Sequence, residues 1–192
     1  MEEVRNYFLA NLEACKEDVC RQLYMRVLKN LASIETLPVI LSHINSKDRK
    51  TSVAAVKALK ALPATVFQHP KVRNTLQRVY LQIGRRYDSS ARTLALDALL
   101  EHQPSFQTET EFLREVLVYV SKAGAKESEL TTYTLQRLQE FAGNKPAIRS
   151  QVKQILSEGQ MLNNYDVFSQ NGLSTAFTRF MYRDATGNGT FR

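Results

Sequence analysis

Apolar residues recur along this chain at three- and four-residue intervals, and that period predicts helices rather than strands. Leu23, Val27, Leu28 and Leu31 form one stripe. Leu76, Val79, Tyr80 and Ile83 form another, and Phe112, Val116, Leu117 and Val120 a third. The pattern predicts helices over 2–15, 18–32, 35–45, 49–62, 70–84, 89–102, 109–122, 128–142 and 145–158. Pro63, Gly84, Pro104, Gly124, Gly143 and Pro146 fall at or near the predicted ends, where missing donors and left-handed backbone are tolerated. Asp88 and Ser89 suit an N-cap, and Pro70 and Pro146 suit a first turn. The connections are short, so consecutive helices must run antiparallel.

Three of the predicted helices repeat at a spacing of about 40 residues. They are Asp48–Leu62, Asp88–His102 and the more divergent Glu127–Phe141. Asp48 aligns with Asp88 and Glu127, Val56 with Leu96 and Leu135, and Leu59 with Leu99 and Leu138. Ala55 and Ala58 match Ala95 and Ala98. A period of this length in helical sequence predicts stacked helical hairpins, each too small to bury its apolar face alone. The expected fold is all-α: a HEAT-like α–α superhelix of antiparallel helical hairpins with a short C-terminal β extension. Such arrays bind, scaffold or enclose other molecules more often than they catalyse.

The β extension is expected because the character of the chain changes at Gly159. Asn163-Asn164-Tyr165 and Gln170-Asn171-Gly172 are rich in turn formers. Leu173–Tyr182 then has the Thr, Phe and Tyr density of a strand, and Asp184–Gly189 carries a turn signal. On strand alternation Phe180 and Tyr182 share one face and Phe177 the other. These three are candidate lipid- or sheet-facing residues, and ordinary core packing is the alternative.

The 192 residues, 43% of them hydrophobic, suffice for a single packed core. No apolar run approaches the length of a membrane-spanning helix. The opening stretch is charged and amphipathic, unlike a secretory leader, and it starts directly in helix. That start predicts a segment of a longer protein or an incomplete gene reading. The net charge of +7 admits nucleic-acid binding. The 26 basic residues are spread along the chain, however, and the densest cluster, Lys47-Asp48-Arg49-Lys50, is interrupted by an acid. A solvated basic surface with no nucleic-acid partner is the preferred reading. Cys15 and Cys20 are five positions apart, with no histidine or second pair nearby to make a metal site. A local disulfide at a helix–helix turn is open to them, and so is the free state.

Candidate chemistry is sparse. His43, His69 and His102 lie in three different predicted hairpins, and nothing pairs them with a nucleophile. There is no Gly-rich phosphate loop and no metalloprotease or nucleophile-elbow motif. No enzyme activity, cofactor or metal is therefore expected. Arg92 stands at the arginine position of the general HEAT consensus, among Ala91, Ala95 and Leu96. A guanidinium partly buried there needs a carboxylate or carbonyl partner, and Asp88 and Glu127 are the candidates. A ligand contact by Arg92 is the alternative. Ser52 and Thr131 occupy the equivalent positions in the other two repeats.

The order of these pieces resembles a known family. A helical array ending near Ile155-Leu156, a polar Asn163-Asn164-Tyr165 link, and then Gly172–Arg183 (GLSTAFTRFMYR) is similar to the large lipid transfer proteins, which include vitellogenin and apolipoprotein B. The Gly-Leu-Ser opening followed by an aromatic and Thr looks most like the transfer-protein branch. Cys15–Leu31 and Arg49–Leu62 also resemble the family's helical domain. The resemblance implies residues 1–160 as part of a helical superhelix and 161–192 as the start of a β-sheet lipid-cavity domain. It implies lipid transport: movement of neutral lipid and phospholipid between membranes and help in lipoprotein assembly. It implies protein disulfide isomerase and an apolipoprotein B-like lipoprotein as partners, and the endoplasmic reticulum lumen as location. Vitellogenin-type lipid storage and a generic HEAT-type interaction scaffold are the alternatives.

Overall fold

A computed structural model describes residues 2–102, 106–123, 128–143 and 145–159. Its α-helices are α1 (Glu2–Ala14), α2 (Asp18–Leu31), α3 (Leu37–Ile44), α4 (Arg49–Lys60), α5 (Pro70–Leu81), α6 (Ser89–Glu101), α7 (Phe106–Ala123), α8 (Ser128–Gly143) and α9 (Pro146–Gly159). Short 3₁₀ turns at Ile34–Thr36 and Ala64–Gln68 lead into α3 and α5. No strand occurs among the described residues. The expected β extension, with Phe177, Phe180 and Tyr182, lies outside the described residues, as does Glu127.

Two helix boundaries differ from the periodicity. The stripe expected over 35–45 is split, because Pro38 stands in the first turn of α3. Its missing N–H costs nothing there and would break a longer helix. The helix expected to reach 84 stops at Leu81, where Gln82 takes a left-handed conformation (φ 57°) and its N–H caps the Arg78 carbonyl. Gly84 follows with φ 84°, a value that only glycine adopts without strain.

The chain divides into two compact units, Met1–Thr108 and Glu109–Arg192. In the first unit α2, α4 and α6 pack side by side as one layer. α1 packs on α2, α3 on α4, and α5 on α6, so the unit is built from three antiparallel hairpins. The repeat register explains this layer. Ala55, Val56, Ala58 and Leu59 of α4, with Ala95, Leu96, Ala98 and Leu99 of α6, are all buried. The alanines let the helices approach closely, and the larger side chains fill the space between layers. In the second unit α8 packs on α9. Leu135 and Leu138 of α8 are buried, together with Val152 and Ile155 of α9. The three aligned positions Val56, Leu96 and Leu135 are each fully buried.

Candidate functional site

The polar side chains of the first unit gather where successive repeats meet. Asp48 and Asp88 are the N-caps of α4 and α6. Asp48 accepts hydrogen bonds from the Thr51 N–H and the Thr51 hydroxyl, both at 2.6 Å, and Asp88 accepts from the Ser90 N–H at 2.9 Å. Each cap satisfies an otherwise orphaned helix donor. Each also reaches the neighbouring repeat. The Gln22 amide of α2 donates to Asp48 at 3.0 Å, and Arg49 of α4 forms an ion pair with Asp88, Nε to Oδ2 2.7 Å. Lys60, at the other end of α4, pairs with Asp97 at 3.4 Å and Glu101 at 3.1 Å on α6. Start meets start and end meets end, so α2, α4 and α6 run parallel within their layer. The Thr51 hydroxyl, with the Thr51 N–H and the Gln22 amide behind it, holds the Asp48 carboxyl below its ordinary range against the opposing effect of desolvation.

Four residues beyond each capping acid, the repeat places a donor in the core. Ser52 Oγ donates to the carbonyl of Ile44, the last residue of α3, at 2.6 Å. Arg92 is 3% exposed, and its Nε donates to the carbonyl of Tyr80, in the last turn of α5, at 2.9 Å. Its guanidinium carbon lies 5.7 Å from the centroid of the Tyr80 ring. The serine and the arginine thus do the same job at different reach: each ties the C-terminus of the preceding helix to the repeat helix. The buried arginine also sets a positive charge beside a helix C-terminus, where the helix dipole favours it. Thr131, the third equivalent, is buried in α8.

The histidines are engaged locally. His43 Nδ1 lies 2.9 Å from the Val39 carbonyl, His69 Nδ1 accepts from the Lys71 N–H, and His102 stacks on Phe67 with ring centroids 4.2 Å apart. Among the described residues no group of three or more His, Cys, Asp or Glu side chains could hold a metal ion. No helix among them is long and apolar enough to cross a membrane. Cys15 and Cys20 form a disulfide across the turn between α1 and α2, with Cα atoms 5.6 Å apart. Cys15 lies beyond the end of α1, and that frees it to face Cys20 in a way that two positions on one helix could not.

One feature of the surface escaped the linear pattern. A cleft of about 510 Å³ lies along α2 and α4 and reaches the start of α6. Arg26, Lys29, Arg49, Lys50 and Lys57 line it. In the sequence these cations are two short groups more than a turn apart in separate helices, and only the parallel packing of α2 and α4 gathers them. The signal was present in their spacing, 26/29 and 49/50/57, once the two helices are known to be neighbours.

No family model matches the chain. Individual relatives do. The chain is 37% identical over 191 residues to the microsomal triacylglycerol transfer protein of Drosophila melanogaster, covering 99% of this chain and 20% of that protein. It is 28% identical over 180 residues to the microsomal triglyceride transfer protein large subunit of Danio rerio, covering 93% of this chain and 19% of the relative. With the large subunit of Homo sapiens it shares 25% over 189 residues, 98% of this chain and 20% of the relative. The chain therefore spans about a fifth of the length of the curated relatives it matches.

Proposed function

We propose, on the premise that this chain belongs to the large lipid transfer proteins and is most like the microsomal triglyceride transfer protein large subunit, that it serves as the helical superhelix of a protein that moves lipid between membranes. The match to the Drosophila relative over 99% of the chain carries this reading. The relatives it matches are triglyceride transfer proteins, which favours transfer over vitellogenin-type storage. The fold agrees with a framing role. The described polar residues satisfy caps and join repeats, so the chain contributes walls and partner contacts and performs no covalent chemistry.

The finer parts of the proposal follow the same premise. Residues 1–160 frame a lipid cavity, and 161–192 begin its β-sheet, with Phe177, Phe180 and Tyr182 on the sheet. The complete protein carries neutral lipid and phospholipid, loads an apolipoprotein B-like lipoprotein, and works beside protein disulfide isomerase in the endoplasmic reticulum lumen. The Cys15–Cys20 disulfide is in keeping with an oxidising compartment. The test is to express the complete protein that contains this segment, and to measure transfer of labelled triglyceride between donor and acceptor vesicles and co-purification with a disulfide isomerase. Transfer with the isomerase bound supports the proposal. A folded complete protein that moves no triglyceride rejects it.

A further inference from the structure

Four of the five cations of the basic cleft take no part in the described contacts that join the repeats. Arg26, Lys29, Lys50 and Lys57 form no ion pair among the described residues. Arg49 is neutralised in part by Asp88, the only acid among the described residues that line the cleft. Lys29 and Lys57 sit in the last turns of α2 and α4 or close to them, where the dipole welcomes a cation. Arg49 and Lys50 do not. They occupy the first turn of α4, directly after the N-cap Asp48, whose carboxylate meets the positive end of this helix. Arg26, Lys29, Lys50 and Lys57 thus add positive charge to one surface without adding, among the described residues, an ion pair that stabilises it.

The cations are strung along the cleft rather than aimed at one point. From Arg49 to Lys57 is eight residues of helix, about 12 Å along the axis, and Arg26 and Lys29 run alongside on α2. A single phosphate needs donors that converge. A row about 12 Å long matches three to four residues of extended chain. Between the rows the floor is small and partly apolar, made by the half-buried Val53 and Ala54. A groove between parallel helices is also recessed, which suits a strand of peptide better than a flat bilayer. We propose that the α2–α4 cleft is a docking groove for an acidic, extended peptide segment of a partner protein, whose carboxylates are read by Arg26, Lys29, Arg49, Lys50 and Lys57. The test of this surface does not depend on lipid transfer, so its failure and the failure of the transfer reading are distinguishable.

The experiment is fluorescence anisotropy of a fluorescein-labelled Glu/Ser peptide titrated with the purified chain at low and at physiological salt. The parent binds, and binding weakens as salt screens the charges. Lys29→Glu, Lys50→Glu and Lys57→Glu combined should weaken it by about tenfold or more, since each lost attraction becomes a repulsion. Lys16→Glu, Lys71→Glu and Lys153→Glu combined carry the same charge change on exposed positions outside the cleft. This control should bind about as the parent does. The milder Lys50→Ala and Lys57→Ala pair should lose about threefold, and covers the case in which the charge reversals disturb folding. Equal losses in the cleft and control variants would overturn the proposal, because general attraction would then explain binding. Failure of the parent to bind would overturn it too. So would displacement of the peptide by phosphatidylserine vesicles or single-stranded RNA at lower concentration than by unlabelled peptide, because the cleft would then prefer phosphate.

Discussion

Replacing Arg92 by alanine tests the repeat register at the position where sequence and structure meet most closely. The substitution removes a charge-assisted hydrogen bond to the Tyr80 carbonyl from a side chain that is 3% exposed. Hydrogen bonds of charged groups contribute about 1.5–3 kcal/mol. Two buried methylenes beyond Cβ add about 0.8 kcal/mol each. Release of the arginine's rotamers returns up to about 2 kcal/mol. The net cost is about 1–3 kcal/mol. Losing the hydrogen bond to the Tyr80 carbonyl strands no buried charge, so this contribution stays below the roughly 3–5 kcal/mol of a broken buried ion pair. For a chain of this size each kcal/mol shifts the melting temperature by about 2–4 °C, so Arg92→Ala should melt roughly 2–12 °C below the parent. Arg92→Lys, which keeps the charge but loses the planar fork, should fall between. Lys71→Ala, on the exposed face of α5, should stay within about 0.5 kcal/mol of the parent. Thermal melts by circular dichroism at 222 nm, a standard helix wavelength, give the comparison. Equal melting of Arg92→Ala, Lys71→Ala and the parent would refute the assigned role of Arg92 and the register that led to it.

Other outcomes follow from the same structure. Asp48→Asn keeps the cap but removes the charge whose carboxyl the Thr51 hydroxyl holds below its ordinary range; the parent should therefore be more stable above the unfolded pKa of about 4, with the difference vanishing as pH falls through the lower folded value, read from melts between pH 7 and pH 2.5. An advantage of the parent that grew on acidification would contradict this. Replacing Cys15 and Cys20 together by serine should cost about 2 kcal/mol, the value for so short a closed loop, in urea titrations; an unchanged midpoint would show that the bridge at the α1–α2 turn does not stabilise the chain. The isolated chain should bind a fluorescent triglyceride analogue poorly, because the apolar faces of the described helices are buried against one another; saturable tight binding would place a lipid site within this segment.

The helices were legible because their faces are regular. Leu76, Val79 and Tyr80 lie in one stripe, and all three are buried in α5. The repeat alignment was legible for the same reason: Val56, Leu96 and Leu135 fall on the inward face of their helices. Boundaries were less so, since the left-handed turn at Gln82 has no glycine to announce it. The hydrogen bond of Arg92 to a carbonyl twelve residues earlier depends on how α5 and α6 dock, and one-dimensional spacing does not carry that. The basic cleft was invisible for a related reason. Its cations come from helices separated by a third, and α3 had to be folded to the other layer before they became neighbours. The Cys15–Cys20 bridge depended on α1 ending at Ala14, one residue before the first cysteine.

The most direct test of the central claim is a segment exchange. The 191-residue match to the Drosophila melanogaster microsomal triacylglycerol transfer protein defines the piece to replace. That piece would be replaced by this chain in the full-length relative, and triglyceride transfer between vesicles measured against the unaltered protein. If the chain is a lipid-transfer superhelix, the chimera folds and still transfers triglyceride. A chimera that is soluble and has the parent's helical content, yet transfers none, would contradict the account and leave only a helical repeat of similar sequence.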